Sequence, residues 1–337
     1  MSADAQVPYA GLTPDTVLDA VESLGLRCDG RQFALNSYEN RVYQVGIEDD
    51  RPLIVKFYRP LRWSDAQILE EHAFAAELEA AEIPVVAASA FGGRTLHHFN
   101  GFRFAVFPRR GGRTPELEDR ETLEWLGRFL GRIHAVGATR AFEHRPTLDS
   151  DTFGTASRDW LLAHDTLPPD LRGAWRQAAE LALEQVAHCE ARAGRVAHLR
   201  LHGDCHPGNV LWVEEGEDRG PHFVDLDDAR NGPALQDLWM LLPGDRDAAA
   251  RTLAHLLSGY EDFRDFDDSE LHLIEALRTL RLMHHSAWIA RRWDDPAFPA
   301  AFPWFASPRY WQDRILELKE QVALMQEPPL RPARLRD

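Results

Sequence analysis

The sequence predicts an α+β protein of two lobes, a sheet-rich N-terminal lobe followed by a mostly helical C-terminal lobe. The chain has 337 residues, more than one ordinary core accommodates, because domains commonly hold roughly 100–200 residues. Runs typical of strands are concentrated before residue 107. The connector PRRGGRTPE at 108–116 follows them, and most of the chain after it has helical periodicity.

The N-terminal lobe is predicted to span residues 1–107. Apolar residues at helical spacing after Thr13-Pro14 predict a first helix, and an Ala-, Glu- and Leu-rich run predicts a second. Apolar runs bounded by turn residues predict four strands, the first two joined as a hairpin. In chain order, these elements are a helix at 13–25, strands at 41–47 and 52–58, a helix at 65–82, and strands at 85–91 and 102–107.

A hinge at 108–112 is predicted to lead into the C-terminal lobe, residues 113–337. Four apolar residues from Leu123 to Ile133 share one helical face, and Gly137 ends that run, so an amphipathic helix is expected there. The other predicted elements are two helices across 170–193, strands at 209–213 and 222–226, and helices at 235–242, 247–259, 268–292 and 309–325.

The composition is that of an acidic globular chain. It has 54 acidic and 38 basic residues and a formal net charge of −16. Such a surface repels nucleic-acid phosphates and anionic lipid, so we expect neither nucleic acid nor membrane as a partner. A small anionic ligand held by local cations or a metal remains compatible with this charge.

The cysteines and the N-terminus predict the compartment. The chain has three widely spaced cysteines, Cys28, Cys189 and Cys205. An odd number at such spacing predicts a reducing environment without a disulfide framework. The opening stretch MSADAQVPYAGLTPDT lacks the basic and apolar regions of a secretory signal, and no apolar run reaches the roughly 20 residues of a membrane span. We expect a cytoplasmic monomer.

The stretch LHGDCHPGNVLW, residues 201–212, is the most informative part of the sequence. Structural zinc would need His and Cys pairs in two separated halves, and the other two cysteines of the chain stand alone, so the spacing argues against zinc. We interpret His202 as a residue that holds the loop and Cys205 as a small packed residue. The role of His206 stays open.

Asp204 and Asn209 have the spacing of the protein-kinase loop H-R-D-x-x-x-x-N, with Gly203 in place of arginine. A strand-like run further on carries Asp225. A hairpin would bring the oxygen atoms of Asn209 and Asp225 together, and a few such oxygens suit Mg²⁺. Each residue alone is commonly a turn or cap residue, but their joint spacing favours a catalytic loop in which Asp204 accepts the proton of an attacking hydroxyl.

This loop, followed by FVDLDDA at 223–229, resembles the aminoglycoside phosphotransferase and choline kinase branch of the protein-kinase-like fold. Longer strings resemble the stress response kinase A family, bacterial serine/threonine protein kinases. These strings are LNSYENRVYQV, LIVKFYRP, ILEEHAF, FAVFPRRGGR, LGRFLGRIH, DDARNGPALQDLWMLL, SAWIARRWDDPAFP and LMQEPPL. The resemblance implies a bilobal protein-kinase-like α+β fold, with nucleotide bound by the N-lobe and the catalytic loop and acceptor site in the C-lobe.

The resemblance also implies roles for the residues that match its motifs. Asp204 matches the proton acceptor. Asn209 and Asp225 match the Mg²⁺ ligands, Asp225 being catalytic as well, and Asp227 is a candidate ligand of a second metal. Lys56 matches the lysine that contacts the α- and β-phosphates of ATP, and it is one of only two lysines among 38 basic residues.

Further nucleotide contacts are implied in the N-lobe. Glu71 matches the acidic partner of Lys56, with Glu70 as the neighbouring alternative. Phe107 to Arg109 match the hinge whose backbone receives the adenine ring of ATP.

Two departures from ordinary protein kinases are visible. No G-x-G-x-x-G occurs near the start of the predicted sheet, and the sequence NSYEN at 36–40 takes its place. Ser37 matches a serine that the family associates with ATP contact, although a simple polar hairpin turn would explain the same residues. No A-P-E signature follows Asp225, so control by activation-loop phosphorylation of the usual kind is not expected.

Two features of the C-lobe are less specific. Asp237 matches a buried aspartate that steadies the catalytic loop. The run HHSAWIARRWDDPAF at 284–298 places Trp288, Arg291 and Arg292 near one helical face. These side chains could form an acceptor-binding wall, but packing of the helical lobe is the favoured interpretation, because tryptophan is so commonly buried.

We therefore expect an ATP-dependent kinase with Mg²⁺ as cofactor, acting on serine or threonine hydroxyls of proteins, autophosphorylation included. The same fold acting on a small alcohol, such as an aminoglycoside, choline or a homoserine-like acceptor, is the alternative. A non-catalytic nucleotide-binding module is a second alternative, against which the intact set Lys56, Asp204, Asn209 and Asp225 argues.

Overall fold

A computed structural model describes residues 8–334 of the chain. These residues pack into two compact units. The first takes the residues up to Thr114 together with Gly208–Asp227, and the second takes Pro115–Pro207 and the residues from Asp228 onward. The predicted lobe boundaries stay a prediction. The packing adds the segment Gly208–Asp227 to the N-terminal unit.

Helices and short strands account for most of the described residues. The helices are α1 (Pro14–Glu22), α2 (Asp65–Ala80), α3 (Arg120–Gly137), α4 (Ala156–Ala163), α5 (Pro169–Ala193), α6 (Leu235–Trp239), α7 (Arg246–Tyr260), α8 (Ile274–Ala290), α9 (Ala297–Ala301) and α10 (Pro308–Leu324). The strands are β1 (Cys28–Ala34), β2 (Arg41–Ile47), β3 (Leu53–Phe57), β4 (His97–Phe99), β5 (Phe102–Pro108), β6 (Leu199–Leu201), β7 (Val210–Val213), β8 (Gly220–Phe223) and β9 (Arg230–Gly232). In the part of the chain that the structure describes, no helix has the length and apolar character needed to cross a membrane.

The N-terminal unit is built on a five-stranded sheet of order β1-β2-β3-β5-β4. The neighbouring strands pair antiparallel. Apolar side chains of β2, β3 and β5 meet the apolar stripe of α1 in one buried cluster, which includes Val17, Val45, Phe57 and Phe104. Burying each such side chain stabilises the fold by about 1.5–3 kcal/mol, so this cluster fixes the register that places Lys56 on β3.

Two features of this unit differ from the sequence prediction. No bounds were predicted for strand β1, because its sequence CDGRQFA is polar and all of it is exposed or half-buried. The predicted strand at 85–91 is wrong. Val86 instead donates its backbone N–H to Phe223 of β8, and the N–H of Phe223 donates to Pro84. Further along, the N–H of Ser89 donates to Val106 of β5. The segment therefore contacts both the β7–β8 hairpin and β5 without forming a strand of the sheet.

The C-terminal unit is helical around an aromatic core. Side chains of α5, α8 and α10 share a buried cluster that includes Trp175, Met283 and Trp311. The prediction of two helices across 170–193 is wrong, because α5 is continuous. Its buried side chains recur every three or four residues without a break, at Trp175, Ala178, Ala182, Val186, Cys189 and Ala193. No proline or cap interrupts that stripe after its first turn.

Helices α3 and α7 pack unusually closely within the C-terminal unit. A Cβ added at Gly127 of α3 would overlap the carbonyl oxygen of Leu256, and one added at Gly259 of α7 would overlap that of Glu124. Glycine is therefore required at this crossing because no side chain fits between the two backbones. The close approach sets the position of His134, which lies on the last turn of α3 and is fully buried.

Candidate active site

Lys56 and Asp225 form an ion pair within the N-terminal unit. Lys56 lies on β3 with only 7% of its surface exposed, and its Nζ is 2.7 Å from Oδ1 of Asp225. Burial alone would lower the pKa of the Lys56 ammonium, but the negative charge of Asp225, joined by two further carboxylates, holds that pKa above its ordinary value. The ammonium therefore stays charged at neutral pH.

The other groups around Lys56 come from α2 and β5. The carboxylate of Glu71 is among the charges that raise the pKa of Lys56, and Glu71 is 3% exposed, whereas Glu70 is only half-buried. The structure thus places Glu71, and not Glu70, in the surroundings of the lysine. The rings of Tyr58 and Phe107 lie 5.9 and 5.4 Å from Nζ, so the ammonium sits in a cage of fixed size.

The β7–β8 hairpin positions the two residues predicted to hold a metal. The backbone N–H of Val224 donates to the carbonyl of Asn209 at 3.0 Å, which makes Asn209 a direct neighbour of the segment that carries Asp225. Asp225 has φ of 60°, a left-handed conformation that is uncommon for a residue other than glycine, and its side chain is half-exposed.

These two residues suit a magnesium ion that is shared with phosphates. No group of three or more His, Cys, Asp or Glu side chains within residues 8–334 could hold a metal ion by itself. Mg²⁺ is commonly bound by one or two protein oxygens together with phosphate oxygens and water. The amide oxygen of Asn209 and the exposed carboxylate of Asp225 fit that donor set.

Asp227 is held by protein groups, which does not favour the second-metal role considered for it. Its Oδ2 accepts a hydrogen bond from Nδ2 of Asn40 at 3.0 Å and a charged one from the guanidinium of Arg62. Asn40 also accepts the backbone N–H of Arg59 through Oδ1. Asp227 and Asn40 are 4% and 3% exposed, so this buried set ties the turn after β1 to the segment that carries Asp225.

The remaining nucleotide-site predictions lie on the same unit. Ser37 is half-buried in the turn between β1 and β2. Phe107 is near the end of β5, where its ring faces Lys56. Arg109 follows β5 and is exposed, and its Nε donates to Oε1 of Gln44 at 2.8 Å. The side chain of Asn40, one end of the NSYEN turn, is thus structural, while Ser37 stays a predicted ATP contact.

Residues 202–205 of the predicted catalytic loop belong to the C-terminal unit, where a buried aspartate holds the loop. Asp237 is fully buried and accepts the backbone N–H groups of His202 at 2.9 Å and Gly203 at 2.8 Å. Nε2 of His134 lies 3.0 Å from the same carboxylate. Burial would raise the pKa of Asp237, but the hydrogen bond and charge of His134, with the other donors, hold that pKa below its ordinary value.

Gly203 occupies the position of the arginine in the usual kinase loop for a steric reason. Its φ is +85°, and an added Cβ would overlap the carbonyl oxygen of Asp228. Both the left-handed conformation and the close approach require glycine.

The next residue but one, Cys205, is fully buried. Burial raises the pKa of its thiol well above the ordinary value, as expected of a packed, unreactive side chain.

Asp204 is flanked by a cation that the sequence did not reveal. Nη1 of Arg281, on α8, lies 2.6 Å from Oδ1 of Asp204. On the other side, Nε2 of His206 lies 3.6 Å from Oδ2. Arg281 is 77 positions from Asp204 and stands in no motif, so only the packing of α8 beside the loop brings the two together.

The Trp- and Arg-rich run on and after α8 serves mainly in packing. Trp288 contacts Phe298 with ring centroids 5.0 Å apart, and the guanidinium of Arg292 lies 5.4 Å from the ring of Trp288. Arg291 lies over the ring of Trp160. These contacts agree with the favoured interpretation of the run.

Comparison with known proteins identifies the family. The model of the phosphotransferase enzyme family, APH, matches residues 30–274. Stress response kinase A of Escherichia coli (strain K12) is 47% identical over 323 residues, which cover 96% of this chain and 96% of that protein. The chain belongs to the stress response kinase A family. A further relative, the serine/threonine protein kinase RdoA of Salmonella typhimurium (strain LT2), is 45% identical over 97% of this chain and 98% of its own.

The fold of this stress response kinase A family member is also found among solved structures. Amicoumacin kinase hAmiN in complex with AMP-PNP, Ca²⁺ and Ami has a TM-score of 0.71 and 17% identity, covering 94% of this chain and 95% of that one. At that identity the likeness shows the fold alone. The predicted α+β protein-kinase-like fold, sheet-rich in its N-terminal part and helical in its C-terminal part, is confirmed.

Proposed function

We propose that this chain is a serine/threonine protein kinase that transfers the γ-phosphoryl group of ATP to proteins in the bacterial stress response. The observation that carries the proposal is the Lys56–Asp225 ion pair, in a chain whose Asp204 stands on a loop held by buried Asp237. A relative named as a serine/threonine protein kinase is 45% identical over 97% of this chain, which supports the choice of a protein acceptor.

In the proposed reaction, Asp204 accepts the proton of the acceptor hydroxyl while the hydroxyl oxygen attacks the γ-phosphorus. The bond from that phosphorus to the β–γ bridging oxygen breaks, and ADP leaves with the electron pair. Lys56 contributes a fixed positive charge to the α- and β-phosphates. Mg²⁺ held by Asn209 and Asp225 would neutralise phosphate charge, which is the chemistry that a metal supplies in such sites.

The residues proposed to bind the adenine and ribose end of ATP all lie in the N-terminal unit. Backbone groups of Phe107 and Arg109 would receive the adenine ring, and Ser37 would contact the nucleotide from the turn that replaces a glycine-rich loop. Glu71 would keep Lys56 in place, as its burial and its effect on the pKa of that lysine suggest.

A small-molecule kinase is the second candidate function. One observation favours it: a solved structure with this fold is an amicoumacin kinase. The two candidates share every step at the phosphate and differ only in the group that presents the hydroxyl, so the acceptor has to be identified directly.

The test is phosphoryl transfer from γ-labelled ATP by purified wild-type protein and Asp204→Asn, with Asp313→Asn, an exposed carboxylate on α10, as the matched control. We expect Asp204→Asn to lose at least about 10³-fold in turnover, while melting-temperature shifts with ATP and Mg²⁺ match those of wild type. Mass spectrometry should find phosphoserine or phosphothreonine in protein acceptors. Transfer only to aminoglycosides, choline or homoserine-like alcohols would replace the proposal with the second candidate.

A further inference from the structure

Arg281 lies where the chemistry of phosphoryl transfer needs positive charge. Its Nη1 is 2.6 Å from Oδ1 of Asp204. In the proposed function, the carboxylate of Asp204 receives the proton of the acceptor hydroxyl. The loop LHGDCHPGNVLW itself contains neither lysine nor arginine. Positive charge next to Asp204 that does not depend on histidine protonation therefore has to come from another element, and α8 supplies it.

The helix holds Arg281 firmly. Leu280 and Met283, on either side of it in sequence, are 3% and 1% exposed, and they belong to two buried clusters of the C-terminal unit. The side chain of Arg281 itself is 40% exposed. A buried helix thus presents one accessible guanidinium beside the proton acceptor, the arrangement in which a fixed charge acts without reorganisation.

Two arginines act on the residue one turn beyond Arg281, although the whole chain carries −16. Burial, and then the charges of Arg281 and Arg314, lower the pKa of His285, one turn further along α8, to about 4. His285 is therefore neutral at physiological pH and does not compete for an anion.

The position of Asp204 indicates where the transferring group would lie in the proposed function. An acceptor hydroxyl bonded to Asp204 would lie about 2.7 Å from the carboxylate, and the phosphorus that it attacks roughly 3–3.5 Å further. The guanidinium has five donors in a planar fork, and the contact with Asp204 engages Nη1. The other nitrogens of the fork are therefore the ones that would contact a non-bridging phosphoryl oxygen.

We propose that Arg281 is a catalytic residue that contacts the transferring phosphoryl group as it passes from ATP to the acceptor hydroxyl. This inference rests on the proposed function of Asp204 as proton acceptor. The proton moves from the hydroxyl to Asp204, the electron pair of the broken bond leaves with ADP, and Arg281 stays protonated throughout. Its role is to stabilise the charge that spreads over the three equatorial oxygens.

The kinetic test compares Arg281→Gln and Arg281→Lys with Arg278→Gln, the arginine one turn earlier on the same helix, which pairs with Glu275. We expect Arg281→Gln to lower kcat by about 10²–10³-fold and to leave KM for ATP within about threefold. Arg281→Lys should recover part of the loss, and Arg278→Gln should keep wild-type kcat. A loss confined to KM for the acceptor would overturn the catalytic role and make Arg281 a binding residue.

Two readouts separate catalysis from folding. ADP with aluminium fluoride and Mg²⁺, which imitates the transferring phosphoryl group, should raise the melting temperature of wild type beyond ADP and Mg²⁺ alone. Arg281→Gln should keep the shift with ADP and lose the additional one. Millimolar guanidinium should restore part of the turnover of Arg281→Ala, as it fills the vacated position. An unchanged additional shift, or turnover of Arg281→Gln equal to wild type, would contradict the proposal.

Different assay results would contradict the role of Arg281 and the proposed function. Each variant is assayed with whichever acceptor wild type phosphorylates, whether protein or small alcohol. If Asp204→Asn is inactive and Arg281→Gln is fully active, only the role of Arg281 is wrong. If wild type phosphorylates no acceptor, the proposed function itself fails.

Discussion

Lys56 is one of two lysines in a chain where arginine supplies the positive charge almost everywhere else. The ammonium lies between Asp225 and the rings of Tyr58 and Phe107. A guanidinium is a broad planar fork and an ammonium a compact point charge, so the two are not interchangeable at a buried, caged position. The composition and the structure therefore give the same explanation for this lysine.

Lys56→Arg should lower kcat/KM for ATP by about 10–100-fold, because the larger group overpacks the cage and displaces Asp225. Lys319→Arg, at the only other lysine of the sequence and exposed on α10, is the matched control and should behave as wild type. Steady-state kinetics with varied ATP measure both. Equal values for the two variants would show that the charge alone matters at position 56.

At the residue scale, the sequence predicts the site residues that belong to short motifs. It does not predict the residues that reach the site only through tertiary packing. Asp204, Asn209 and Asp225 are recognisable because their spacing along the chain is informative. Arg281 and Arg62 are not, since each is one arginine among 36 and acquires its role only through a contact more than 70 residues away. These contacts depend on how α8 and the loop after β3 pack, which spacing does not encode.

At the element scale, helices with a long buried stripe are predicted well and short or polar strands are not. Helices α2, α3 and α10 begin close to the expected residues, because caps and apolar periodicity are local signals. Strand β1 is exposed or half-buried throughout and three-residue strands such as β6 have too few residues for a pattern. The residues at 85–91 resemble a strand because they are apolar, but their backbone hydrogen bonds are divided between the β7–β8 hairpin and β5.

The crossing of α3 and α7 gives a prediction at this scale. Gly127→Ala should lower the free energy of unfolding by roughly 1–3 kcal/mol through overpacking against the backbone of α7. Gly173→Ala, in α5 where an added Cβ meets nothing within 4 Å, should raise it by up to about 1 kcal/mol, as alanine favours helix more than glycine does. Urea unfolding followed by circular dichroism compares the two. Similar effects at both positions would contradict the close packing.

At the scale of the whole molecule, the pH dependence of stability contains a contribution from a buried carboxyl. Glu270 is 3% exposed, and burial raises its pKa to about 7 from an ordinary value of 4.5, with Asp267 adding to the rise and the N–H of Leu235 opposing it. The folded state therefore binds a proton that the unfolded state has lost between these values. Stability from this group is complete below about pH 4.5 and is lost as pH rises through about 7.

Glu270→Gln should be more stable than wild type at pH 8, by up to roughly 2–4 kcal/mol, because the amide still accepts the N–H of Leu235 and never ionises. The advantage should shrink steadily toward pH 5. Glu217→Gln, in the exposed turn between β7 and β8, controls for the general change in net charge. Melting temperatures from pH 5 to 8 are the measurement, and a pH-independent difference between Glu270→Gln and wild type would refute the assignment.

The Lys56–Asp225 pair also bears on how long a nucleotide stays bound. Lys56 and Asp225 lie 2.7 Å apart, so in the proposed mechanism the phosphates of a nucleotide would compete with Asp225 for Lys56. The same competition works in reverse after transfer, when Asp225 can reclaim the lysine from ADP. In the proposed mechanism, such an exchange would weaken nucleotide affinity and shorten the residence time of the product, which would favour repeated turnover.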